Sequence, residues 1–181
     1  DKVKELEGIG VEFILSDKPD DFFDDSYDIM IKNPGIKYDH NCVVKAKNMG
    51  IPVVNEIEVA YHYLNKDINI IGVTGSNDER NKFYYIFIKI WKNIFGKMDK
   101  QHKYNILYFV NTNYVKNIKS GDYLVMEISD HQLCDMYDFK TNTSIITNIY
   151  ECHTDFHDSH ERYVMTKKKI FNHHTKDDTA I

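Results

Sequence analysis

Two stretches carry residues able to do chemistry. In the first, residues 69–77, an apolar strand runs into Gly72, Thr74, Gly75, Ser76 and Asn77. A phosphate-binding loop begins this way, because backbone N–H groups converge on an anion only where the chain turns tightly and glycine tolerates the angles. Such a loop continues Gly-Lys-Thr at the mouth of a helix, the lysine reaching the phosphates and the hydroxyl holding magnesium. Here Asp78, Glu79 and Arg80 stand in those places. Glu79 replaces an attraction by a repulsion, and unit charges about 4 Å apart interact by about 4 kcal/mol at an effective dielectric of about 20. Nucleotide binding is expected to be weakened by orders of magnitude. Acidic groups favour a helix N-terminus, so Asp78 or Glu79 is expected to cap a helix over 79–95 and fill the anion site from within.

The second stretch spaces His153, Asp155, His157 and His160 at intervals of two or three residues. Imidazoles and carboxylates so placed in a loop could hold zinc or another transition metal, and His153, Asp155 and His157 could serve a metal-dependent hydrolase. Glu127 ends an apolar run, where a carboxylate is usually exposed or paired. Lys167 opens the run Lys167-Lys168-Lys169, whose plain reading is a solvated helix face.

The elements that must position these groups alternate. Apolar runs at 11–15, 27–31, 51–54, 69–74, 105–110, 123–127 and 144–148 read as strands. A lysine-rich helix over 39–49 ends at Gly50, and Phe83, Phe87, Ile90, Trp91 and Ile94 recur at helical spacing over 83–95. A helix over 56–64 precedes the loop-bearing strand, so the domain boundary is expected at 64–67. Near-continuous apolar strands between helices predict the α/β class with a mostly parallel sheet. The chain reads as cut at both ends, with a helix entering the strand at 11–15 and a further strand starting in 175–181.

Composition narrows the function classes. The 181 residues are 42% hydrophobic with a formal charge of -5, which argues against a nucleic-acid surface. No apolar run approaches a membrane span of about 20 residues, and no signal-peptide pattern opens the chain. Cys42, Cys134 and Cys152 are odd in number and far apart, so a reducing, cytoplasmic setting without disulfides is expected.

Taken in order, Lys-Asn-Pro-Gly-Ile (32–36), the segment 50–61, the loop 70–77, Leu-Val-Met-Glu-Ile-Ser-Asp-His-Gln-Leu (124–133) and the segment 147–171 resemble the motifs of the Mur ligases, and within them the D-glutamate-adding branch. The resemblance covers nearly the whole chain. It implies a Rossmann-like partial UDP-substrate-binding domain over 1–66 and a partial P-loop-type, ATPase-like central domain over 67–181. The activity it implies is ATP-dependent and uses Mg2+: the carboxylate of UDP-N-acetylmuramoyl-L-alanine is phosphorylated, and the amine of D-glutamate displaces phosphate. By the same resemblance Gly72, Thr74, Gly75, Ser76 and Asn77 hold the nucleotide. Glu127, His153 and a carbamylated Lys167 hold the metal, His153 and Lys167 being the catalytic pair. Asn111, Ser129 and Gln132 meet substrate.

Several positions depart from the pattern. Asp130-His131 replaces Ser-Phe, Cys152 replaces an aspartate, and Val110-Asn111-Thr112-Asn113 replaces Gly-Asn-Ile-Gly. Catalytic positions have changed where scaffold positions have not. An impaired ligase is expected, against two alternatives: a non-catalytic binding module, and the hydrolase named above.

Overall fold

The computed structural model describes residues 2–64, 67–76, 104–107 and 118–181. The helix expected over 83–95, its cap at Asp78 or Glu79, and residues 108–110 of one expected strand lie outside them. The described chain forms two units, Asp1–Val54 and Asn55–Ile181.

In the first unit, helix α1 (Lys2–Gly8) buries no residue. Strand β1 (Met30–Ile31) pairs in parallel with β2 (Val53–Val54). Helix α2 (Asn41–Asn48) is capped by His40, whose Nδ1 accepts from Cys42 N, and Gly50 leaves it at φ 73°. Val43, Ala46, Ile51 and Val53 make the core. Lys32 is buried in the Lys-Asn-Pro-Gly-Ile turn, and its Nζ donates to the Ile36 carbonyl at 2.9 Å. The strand expected at 11–15 does not form. Leu15 is 96% exposed, and no strand among the described residues offers that run a ladder, without which apolar alternation does not make a strand.

The second unit opens with α3 (Glu56–Tyr63). Asn55 caps it, Oδ1 accepting from Ile57 N and Glu58 N, both at 2.9 Å. Buried Glu58 accepts from Asp138 N at 2.7 Å and Phe139 N at 3.1 Å. These bonds tie α3 to residues far along the same unit, so the helix stands after the division, whereas the sequence reading put the division behind it.

Strands β3 (Asn69–Thr74), β4 (Tyr104–Leu107), β5 (Tyr123–Glu127), β6 (Thr143–Ile146) and β7 (Thr179–Ala180) form one sheet, ordered β4-β5-β3-β6-β7, with every pairing parallel. The expected α/β class and parallel sheet are what is found. β3 is buried along nearly its whole length. Ile70, Leu124, Met126 and Ile128 pack with Ile57, Leu133, Phe139 and Ile170, while Ile71, Val73, Val125 and Ile145 are buried as well. Burial of successive residues, rather than every second one, is the reason these strands lack polar alternation. A Cβ added at Gly72 would lie 2.7 Å from Thr141 Cγ2, so the glycine lets the neighbouring layer close over mid-strand.

From β3 the chain moves outward to β4 and returns to β5. It then crosses to β6 and β7 on the other side of β3. The order reverses at β3, and in open parallel sheets the crevice beyond the carboxyl ends of the strands at such a point receives ligands.

Candidate functional site

Register brings the carboxyl ends of three strands level: Val73 lies opposite Glu127, and Thr74 opposite Ile146. The segments leaving these ends carry the reactive side chains. Gly75 and Ser76 follow β3. A Cβ at Gly75 would sit 2.2 Å from Thr147 Oγ1, so only glycine lets the loop pass the end of β6. Ser76 N donates to Asn148 Oδ1 at 2.9 Å, and Ser76 Oγ accepts from Tyr150 N at 2.7 Å and from the hydroxyl of fully buried Tyr163 at 2.8 Å.

Beyond β5, Ser129 caps the short helix α4 (Asp130–Cys134) with Gln132 in a reciprocal box: Ser129 N donates to Gln132 Oε1 at 3.0 Å, and Gln132 N to Ser129 Oγ at 3.2 Å. Gln132 Nε2 also donates to Glu56 Oε1 at 3.1 Å. The two residues assigned to substrate thus have structural partners. Asp130, the first residue of α4, is buried.

Helix α5 (Thr154–His157) is bracketed by left-handed residues, His153 at φ 51° and Asp158 at φ 63°. Histidine and aspartate enter that region more readily than most side chains. This short bracketed turn sets His153 and His157 on the same target. His157 Nε2 donates to Asp130 Oδ2 at 2.7 Å, and His153 Nδ1 lies 3.0 Å from the same oxygen. His131 Nδ1 is a third nitrogen, 3.3 Å away.

Helix α6 (His160–Lys168) delivers Lys167 from the other side. Its side chain is 2% exposed, so the solvated-face reading of the lysine run fails at this member, though it holds for exposed Lys168. Lys167 Nζ donates to Gly75 O at 2.7 Å and Thr74 Oγ1 at 2.9 Å, and lies 3.3 Å from Asp130 Oδ1. An ammonium has three donors, and these are three acceptors.

The electrostatics follow from burial and these partners. Burial pushes the Lys167 amine below its ordinary value, against the pull of Asp130. Burial would raise the Asp130 carboxyl, but the His157 hydrogen bond, the Lys167 charge and the His153 hydrogen bond together hold it well below the usual range. Burial lowers His131, opposed by Asp130.

The structure therefore gathers Thr74, Gly75, Ser76, His153 and Lys167, with exposed Glu127 at the end of β5. Gly72 lies within β3, away from the loop. Asn77, Asp78, Glu79, Arg80 and Asn111 lie outside the described residues. His153, Asp155 and His157 do not assemble as the hydrolase reading needs: the two histidines turn onto Asp130, and exposed Asp155 is absent from the convergent groups among the described residues. Asp130 is the residue at the centre, and sequence reasoning did not assign it a role. Its signal was there, as a carboxylate standing where the resembling motif has serine. A second convergent group, Glu58, His62 and Asp138, has its buried carboxylate engaged by backbone N–H groups.

These features define a parallel α/β domain with its polar site at the switch point of the sheet. Residues 57–181 match the family described as the Mur ligase middle domain. The UDP-N-acetylmuramoylalanine–D-glutamate ligase of Staphylococcus epidermidis (strain ATCC 12228 / FDA PCI 1200) is 36% identical over 179 residues, covering 98% of this chain and 38% of that protein. The ligase of the same name from Geobacillus sp. (strain WCH70) is 31% identical over 185 residues, covering 99% of this chain and 39% of that protein. A crystal structure of MurF from Acinetobacter baumannii aligns with a TM-score of 0.48 at 16% identity, covering 87% of this chain and 41% of that one. The chain belongs to the Mur ligase family. It spans under two-fifths of the length of these curated relatives. Among the described residues no helix is long and apolar enough to cross a membrane.

Proposed function

We propose that this chain is a segment of a D-glutamate-adding ligase whose nucleotide chemistry is disabled. In this reading the substrates of the whole protein are UDP-N-acetylmuramoyl-L-alanine and D-glutamate. ATP and Mg2+ would supply the activating phosphoryl transfer. The named relatives and the motif order support the substrate class.

The observation that carries the impairment is Asp78-Glu79-Arg80 in place of Gly-Lys-Thr, and Lys167 stands next to that loop. A lysine becomes a carbamate ligand only as a free amine, and this one directs its three donors to Gly75, Thr74 and the Asp130 carboxylate. In that state it offers a cation neither an oxygen nor a lone pair, and only its carbamate would complete an oxygen-bearing set with Glu127 and His153. Among the described residues, Lys167, Thr74, Gly75 and Asp130 form one polar network.

Calorimetric titration of Mg-ATP tests this. The unaltered chain is expected to give no heat of binding, and the Asp78→Gly, Glu79→Lys, Arg80→Thr variant to bind. Binding by the unaltered chain would overturn the impairment. Silence from both would overturn the view that three residues disable an otherwise sound loop.

A further inference from the structure

We propose that Asp130, His131 and His153 form a site for a zinc-class divalent ion, with His157 and Lys167 fixing the carboxylate. This goes beyond the ligase reading and does not rest on it. The site shares only His153 with the magnesium set that the resemblance implies. Asp130 and His131 are two positions at which this chain departs from the resembling motif.

The argument begins at one oxygen. Asp130 Oδ2 faces His157 Nε2 at 2.7 Å, His153 Nδ1 at 3.0 Å and His131 Nδ1 at 3.3 Å. A carboxylate oxygen has two lone pairs, and a neutral imidazole has one N–H and one lone pair. His157, buried and closest, takes one of the oxygen's. His153 Nδ1 and His131 Nδ1 lie close to the same oxygen; as unprotonated nitrogens they turn lone pairs toward it, and a cation shared by all three atoms removes that conflict.

The spacing separates ligands from supports. Bonds to zinc of about 2.0–2.2 Å place tetrahedral ligand atoms about 3.3–3.5 Å apart. The His131 distance, 3.3 Å, meets that value, and the His153 distance, 3.0 Å, falls a little short of it. The His157 distance is too short for a fellow ligand and suits a hydrogen bond to a ligating carboxylate. The three proposed ligand atoms lie within 4.8 Å of one another.

Support and access also fit. His157 orients Oδ2, and Lys167 holds Oδ1 from the far side at 3.3 Å, so the carboxylate has little freedom to swing away. The Asp130 side chain is 3% exposed, but His131 is 24% and His153 45% exposed. An ion reaches the site from the histidine side, and solvent can complete its fourth position. Two imidazoles and one carboxylate select a borderline ion such as zinc over magnesium, which asks for six oxygens.

The untagged chain, freed of metal by a chelator, would be titrated with Zn2+ against a chromophoric competitor and with Co2+ read by its visible d–d absorption. The expected result is one ion per chain with the absorption of a four-coordinate cobalt site. Affinity should fall at least tenfold in His131→Phe and be lost in Asp130→Ser, while His160→Asn binds as before. His131 is partly exposed, so its variant should keep the fold if Asp130→Ser does not, and far-UV circular dichroism checks each chain. Uptake that survives His131→Phe unchanged, uptake that falls only with His160→Asn, or no uptake by the unaltered chain would each overturn the site.

Discussion

At the scale of residues, the central fact is a buried carboxylate placed against a buried ammonium. Removing one partner of such a pair leaves an uncompensated charge and typically costs about 3–5 kcal/mol. Asp130→Asn in chelator-treated buffer should therefore destabilise the chain by an amount in that range, read by urea unfolding. Lys167→Met should also destabilise it, but the double variant should cost less than the sum of the single ones. Strict additivity would show that the two charges do not depend on each other. This pairing was only half legible in the sequence. Lys167 could be located through its motif, but a run of three lysines conceals which one turns inward. That choice is made by helical phase: on α6, Tyr163 and Lys167 lie four residues apart on the buried face, while Lys168 falls on the exposed one. Asp130 was visible as a departure, yet its partners come from residues 131, 153, 157 and 167, and no local pattern announces a convergence across that separation.

At the scale of elements, runs within the sheet were legible and isolated runs were not. The runs 69–74 and 123–127 coincide with β3 and β5, because burial on both faces gives a continuous apolar signal. The run 11–15 has similar side chains but finds no ladder among the described residues. Which unit α3 joins was not legible for another reason. A helix declares its own period, but not which core it joins, and here that is settled by Glu58 reaching the backbone at 138 and 139. Glu58→Ala would leave two N–H groups without their acceptor. The expected loss is about 2–6 kcal/mol, on the basis of about 1–3 kcal/mol for each unsatisfied group, and toward the lower end because Asp138 is exposed. Glu58→Gln, which keeps one acceptor oxygen, should lose less. Thermal unfolding of the two variants provides the check, and equal losses would show that packing rather than hydrogen bonding holds the helix.

At the scale of the whole molecule, the larger sheet is a set of parallel strands that ends at β7, a two-residue strand held by β6. Its approach is fastened by Asp178, which accepts from Lys140 Nζ at 2.8 Å and from Thr175 N at 2.6 Å. The Lys140 hydrogen bond first, and the Thr175 N–H after it, hold the Asp178 carboxyl down at about 2. Because the folded value lies below the unfolded one, this contribution is complete above about pH 4 and is lost as the pH falls toward 2. Exchange protection at Thr179 and Ile181, whose N–H groups donate to Asn142 and Ser144, should drop over that interval and be already low in Asp178→Asn. Protection that is independent of pH would detach the edge strand from this carboxyl. The glycines of the loop strand have a longer reach. Gly72 is required by Thr141 and Gly75 by Thr147, steric demands made by neighbouring parts of the same sheet with no nucleotide involved. A lineage that had abandoned phosphate chemistry altogether would still be held to both glycines by its own architecture. Both glycines are thus demanded by how the sheet is assembled, and it is at residues 78–80 that the loop departs from the resembling motif.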